Sequence, residues 1–235
     1  MKSVTNSLFW HIKPELIMKI HAPRLSFLFF ALLLIDAVFI IAELNTYRIF
    51  SKSLLMPALI VLIYSSIEYP NSKNKSFHLV ALILSFLGDL FLQIGWFLPG
   101  LFSFLLAHLS YILLFVRLSD QKLISRQNWL VLICIILGGT LSERLVGIDH
   151  TMFYPVFIYA SVILCMFWFS ANVTQPKSKI MWGAIIFILS DLVLAYTMFK
   201  GKLPFGGVIV MIAYGTAQYL IAQGIIDKKG KKTLT

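Results

Sequence analysis

Two carboxylates stand in runs of residues otherwise suited to lipid. Asp89 lies within Ser85-Phe86-Leu87-Gly88-Asp89-Leu90-Phe91-Leu92, and Asp191 within Ile188-Leu189-Ser190-Asp191-Leu192-Val193-Leu194-Ala195. Each follows a small residue, Gly88 or Ser190, and precedes a leucine, and the two are 102 residues apart. A charge at the centre of a membrane helix costs roughly 2.5–3.5 kcal/mol on insertion scales, and a structural role could use Asn instead. Two carboxyls in one low-dielectric site suit acid–base chemistry, because one can keep a proton to donate while the other stays ionised. Asp89 and Asp191 are therefore the candidate functional pair, as the carboxylates of an enzyme or of an ion-coupled transporter. Their spacing does not say which is the acid and which the base.

Each is followed by a polar cluster in the next apolar run. Ala107-His108-Leu109-Ser110-Tyr111 puts His108 and Tyr111 on one helix face, and Ala213-Tyr214-Gly215-Thr216-Ala217-Gln218 does the same for Tyr214 and Gln218. Such side chains at mid-depth turn inward and find partners. Each alone reads more simply as a hydrogen bond between helices. Asp36, inside the first apolar run, is equally unusual but has no second copy, whereas Glu43 and Glu68 fall near the ends of runs, within reach of interfacial water.

The elements that must position these groups are membrane helices. The chain has 235 residues, 59% hydrophobic and 13% charged, with a mean hydropathy of +0.87. Soluble domains carry about 25% charged residues. The apolar runs are long and continuous, without the alternation of membrane β-strands. The net charge of +10 resides in short loops and tails, which argues for contact with lipid headgroups and against nucleic acid. Cys134 and Cys165 both lie in apolar runs, and no metal-ligand spacing is present. GxSxG, HExxH, P-loop and GxGxxG motifs are absent too, which removes the common hydrolase, metalloprotease and nucleotide-driven classes.

Eight segments approach the ~20 residues that span a bilayer: Leu25–Leu44, Leu54–Tyr69, Phe77–Trp96, Gly100–Leu118, Trp129–Leu145, Met152–Ala171, Ile180–Phe199 and Gly206–Ile226. The expected fold is an all-α, polytopic membrane bundle of one domain (25–226), between a basic interfacial segment (1–24) and a basic tail (227–235). No cleavable signal peptide is evident; the first apolar run would serve for insertion. Of the 20 Lys and Arg, only Arg48, Lys52, Arg144, Lys200 and Lys202 fall on the side opposite the N-terminus, so both termini are expected in the cytoplasm. The recurrence of the Asp motif, and of Pro57 and Pro155 near the starts of segments two and six, suggests two parallel four-helix repeats. On these bounds both Asp lie about 12 residues into their helices, near the midplane.

These motifs, taken in order, resemble the YhhN-like family of integral membrane lysoplasmalogenases. The matching pieces are Lys52 to Pro57, Leu84 to Asp89, Phe104 to Tyr111, Pro155 to Tyr159, Gly183 to Asp191 and Tyr214 to Ala222, covering segments two to eight. The family's Lys-Pro-Leu entry is Lys52-Ser53-Leu54 here, and its paired tyrosines are Tyr214-Gly215. The resemblance implies eight helices, no cofactor, and hydrolysis of the vinyl-ether bond of lysoplasmalogens to a fatty aldehyde and a glycerophospho-alcohol. An ether lysophospholipid would be the substrate, the bilayer a partner, and a bacterial inner membrane the expected location. Enol-ether hydrolysis needs a general acid and a group that stabilises the cation, which two Asp can supply, as the paired carboxyls of glycosidases do. His108, Tyr111, Tyr214 and Gln218 would orient them or contact substrate, and Lys52 would meet the phosphate. An ion-coupled transporter is the alternative on intramembrane carboxylates alone, and a non-catalytic sensor a third possibility.

Overall fold

The structure, a computed structural model, describes residues 14–65, 72–119, 129–174 and 177–226. Residues 1–13, the tail from 227, Glu68, Lys122 and Arg126 lie outside them. Among the described residues there are eight helices: α1 (Pro14–Ile41), α2 (Asn45–Ser65), α3 (Ser72–Gln93), α4 (Phe97–Leu118), α5 (Trp129–Leu145), α6 (Phe153–Ala171), α7 (Lys177–Phe199) and α8 (Gly206–Ile226). Pro14 suits a first helical turn, where its missing N–H costs nothing. The helix then runs on through Pro23, within the stretch read from the sequence as an interfacial segment. Loss of one N–H interrupts one bond, and the apolar residues from Leu25 carry the helix forward.

The bundle is inside-out relative to a soluble protein. Phe27, Leu34, Val38, Phe102, Ile136 and Leu189 are exposed, while Asp36, Lys52, Asp89, His108 and Gln218 are buried. Lipid explains the first group and internal pairing the second. Six helices are long and apolar enough to cross a membrane on length and composition alone. The other two are α5, with 17 residues, and α2, whose first turns carry Arg48, Ser51, Lys52 and Ser53. Both pack in the bundle with the rest.

Packing follows the repeat. The pairs α1–α2 and α3–α4 recur as α5–α6 and α7–α8, and α2–α3 recurs as α6–α7. The halves then cross: α4 packs on α6, and α8 on α2. Small residues allow the closest pairs. A Cβ on Gly88 would stand 2.6 Å from the Phe104 ring, and one on Gly183 2.9 Å from the Ala217 carbonyl oxygen. One feature breaks the repeat. Helix α1 packs on α8, but α5 makes no comparable contact with α4.

The odd-numbered helices all end on one side of the bundle, each followed by a residue of positive φ: Glu43, Gly95, Gly147 and Gly201. Three are glycines, which adopt that conformation freely. At the opposite end the chain after α6 bonds to the end of α4, with Thr174 N and Oγ1 both donating to the Leu118 carbonyl (3.2 and 2.9 Å). The bundle is thus fastened at one end and turned sharply at the other.

Candidate active site

Helix α3 starts five residues earlier than its apolar run and ends at Gln93, so Asp89 lies only four residues from its end. Asp191 lies eight residues from the end of α7. At 1.5 Å per residue these depths are about 6 and 12 Å, shallower than the expected midplane. The sequence bounds set Asp89 too deep because they ran its helix on to Trp96, past Gln93; for Asp191 they gave the same helix end, Phe199, and only the start moves, from Ile180 to Lys177.

Both carboxylates line one cavity of about 290 Å³. It reaches the sharply turned end of the bundle, where Gln93, Phe97, Leu145, Phe199 and Gly207 border it. Most of its wall is apolar, including Leu101 of α4, Leu141 of α5 and Met198 of α7, which flank the side where α4 and α5 do not meet.

Asp89 is buried and held at both oxygens. Lys52 Nζ lies 3.1 Å from Oδ1, and Tyr214 Oη donates to Oδ2 at 2.8 Å. Lys52 is not in a loop, as expected from the sequence, but is the eighth residue of α2, one of the polar turns that disqualify that helix on hydropathy. Its ammonium is committed to Asp89. Removing either member would leave a buried charge without compensation, typically at a cost of about 3–5 kcal/mol.

Asp191 meets a tyrosine and a histidine instead. Tyr159 Oη, on α6, donates to Oδ2 at 2.5 Å. His108 Nε2 lies 2.9 Å from the same hydroxyl and 4.0 Å from Asp191 Oδ2, with Nδ1 facing Met166 Sδ at 3.3 Å. Because the tyrosine proton goes to the carboxylate, the imidazole donates from Nε2 to the phenol oxygen. Asp191, Tyr159 and His108 therefore form one chain running from the cavity into the core. Phe187 packs edge-on against both His108 and Tyr214 and separates the two clusters beneath the cavity.

Each Asp is met by the fourth helix of the other half: Asp89 on α3 by Tyr214 of α8, and Asp191 on α7 by His108 of α4. The two partners are 106 residues apart, the same offset as Gly100 and Gly206 near the starts of their helices. Tyr111 and Gln218 are elsewhere. Tyr111 Oη donates to Gln218 Oε1 at 2.5 Å, and Gln218 Nε2 donates to Ser85 Oγ at 3.0 Å. Neither lines the cavity. They form a polar layer one helical turn below Asp89 and clamp α3, α4 and α8 together.

Two residues were not picked out as site residues from the sequence. Tyr159 sits one turn beyond Pro155 in a run of aromatics; that it closes the family-like piece Pro155 to Tyr159 is the signal that could have marked it. Arg48 lines the cavity beside Lys52 and was counted only as a loop charge.

Fold and site together define a multi-pass helical membrane protein whose internal cavity carries two carboxylates, one paired with a lysine and one with a tyrosine and a histidine. The chain belongs to the YhhN family, which it matches over residues 47–225. It is 34% identical over 156 residues to human "Lysoplasmalogenase TMEM86B", 32% over 157 residues to the mouse protein of that name, and 27% over 170 residues to human "Lysoplasmalogenase TMEM86A". The matches cover 65%, 65% and 64% of this chain, and 65% of each relative's length, just under two thirds. No solved structure gives a significant match.

Proposed function

We propose that this protein hydrolyses the vinyl-ether bond of lysoplasmalogens, with Asp191 as general acid and Asp89 as the ionised partner. The observation that carries the assignment is the unequal pairing of the two carboxylates. Lys52 balances a negative Asp89, whereas only Tyr159 and His108 stand at Asp191. With Oδ2 of Asp191 accepting from Tyr159, Oδ1 is left to carry the proton.

In the reaction Asp191 transfers that proton to the alkenyl carbon distal to oxygen. The resulting oxocarbenium ion is stabilised by the charge of Asp89, whose oxygens each retain a further lone pair. Water adds to the cation and gives its proton to Asp89. The hemiacetal collapses to aldehyde and alcohol as its hydroxyl proton returns to Asp191 and Asp89 protonates the departing glycerol oxygen. Both groups end as they began, and one water is consumed. Named relatives that are lysoplasmalogenases support the substrate class, and an apolar-walled cavity with its polar groups near one end suits a single-chain lipid. A carrier gains little, since α3 and α7 run unbroken through both carboxylates.

The test is aldehyde release from a lysoplasmenyl lipid by purified protein. Wild type is expected to release it, and in D2O the aldehyde should carry deuterium at the carbon next to the carbonyl. Asp191→Asn and Asp89→Asn are each expected to lower kcat by ~10²–10⁴-fold. Full activity in both folded variants would sink the mechanism. The orientation we infer puts the termini in the cytoplasm of a bacterial inner membrane, so the cavity opens on the outer side.

A further inference from the structure

The Asp36 motif has no counterpart in the second half of the chain and takes no part in the acid–base pair, yet its carboxylate is completely buried. Ser51 Oγ donates to Oδ1 at 2.6 Å, and Arg48 Nε stands 3.6 Å from Oδ2. Asp36 itself does not border the cavity, whereas Arg48 does. At 3.6 Å this is an ion pair without a hydrogen bond, both atoms being buried with no hydrogen-bond partner among the described residues, and it lies at the Nε edge, so the terminal guanidinium nitrogens are not the ones nearest the carboxylate.

The cavity wall has two cations, Arg48 and Lys52. Lys52 is taken by Asp89 at 3.1 Å. Arg48, whose ion pair with Asp36 is longer at 3.6 Å and involves Nε, is the cation better placed for an incoming anion, and its planar fork suits a phosphate better than an ammonium does. The register also fits. Arg48 and Lys52 are four residues apart on α2, so Arg48 lies about 6 Å nearer the open end than the Lys52–Asp89 pair. In a lysoplasmalogen the glycerol backbone sets the phosphorus at roughly one helical turn from the ether oxygen.

Resting on the hydrolase reading above, we infer that Arg48, braced by Asp36, is the residue that recognises the substrate's phosphodiester, and that Lys52 is not. Arg48 is then a specificity residue and Asp36 its positioning residue.

Selectivity between a 1-alkenyl-glycerophosphoethanolamine and the phosphate-free 1-alkenylglycerol reads this directly. The ratio of their kcat/KM values should fall ~10–100-fold in Arg48→Gln, fall similarly in Asp36→Asn, and recover in part in Arg48→Lys. A ratio that stays at the wild-type value in Arg48→Gln, with both substrates slowed alike, would make the pair a structural strut and overturn the proposal. A second readout needs no turnover. Glycerophosphoethanolamine should raise the Tm of the detergent-purified wild type, more than inorganic phosphate does, and should not do so in Arg48→Gln. An equal shift with inorganic phosphate, or one that persists in the variant, counts against Arg48 as the headgroup site. Should wild type cleave neither lipid, the hydrolase reading falls, and the thermal measurement still decides the role of Arg48.

Discussion

Tyr159 touches both Asp191 and His108 through one hydroxyl oxygen. Removing that oxygen leaves two polar groups without a partner, in a region where each unmet bond costs about 1–3 kcal/mol. Tyr159→Phe is expected to lower kcat ~10–100-fold with little change in KM, because it loosens the acid and not the cavity wall. Steady-state kinetics with a Tm measurement checks this. Turnover equal to wild type would reduce Tyr159 to a packing residue. The sequence exposed the carboxylates themselves, since an Asp in an apolar run has no inexpensive explanation. It could not expose Tyr159 or Arg48. A tyrosine fits lipid interfaces, interiors and active sites equally well, and Arg48 stood in a stretch too polar to be assigned to a helix.

That stretch shows how element boundaries are lost. Hydropathy finds helices by their contact with lipid, so the parts of a helix that line a polar cavity are invisible to it. The first turns of α2, with Arg48 and Lys52 on the cavity, were missed for this reason; those of α3, which do not border it, were missed for their lysines. The six strongly apolar helices were legible because lipid surrounds most of their length. Helix pairing depends on small residues whose role is equally hidden until the partner is seen. Gly183 faces the backbone of α8, and that backbone cannot yield as a side chain would. Gly183→Ala is expected to destabilise by about 1–3 kcal/mol through overpacking. Gly139→Ala is the control: its added Cβ would meet Phe157 at an ordinary 3.4 Å. There the gain in helix propensity, up to about 1 kcal/mol, should hold or raise stability. Thermal unfolding in detergent separates the two, and equal Tm values would show that α7–α8 packing is looser than drawn.

For the whole molecule, orientation decides which leaflet the cavity serves. The orientation proposed above would put the α3–α4 and α7–α8 turns on the outer side. A cysteine at Gly95 or Gly201, in a chain with Cys134 and Cys165 changed to Ser, should react with a membrane-impermeant maleimide added to intact cells. Labelling only after lysis would reverse the orientation and move substrate entry to the cytoplasmic leaflet. The repeat was visible in sequence as two Asp motifs at a fixed offset. The crossing of its halves was not, because a one-dimensional offset says nothing about which fourth helix serves which carboxylate.

That crossing has an evolutionary consequence. Two separate copies of one half, assembled about a two-fold axis, would offer the same partner to both carboxylates, and such a dimer could not tell donor from acceptor. Joined in a single chain, the copies are free to diverge. Lys52 of α2 can then stand at Asp89 where the corresponding helix of the other half, α6, brings Tyr159 to Asp191, so the two ends of the site differ in charge. On the mechanism proposed above, a single covalent chain is what would let the two halves of the site differ and give proton transfer a direction.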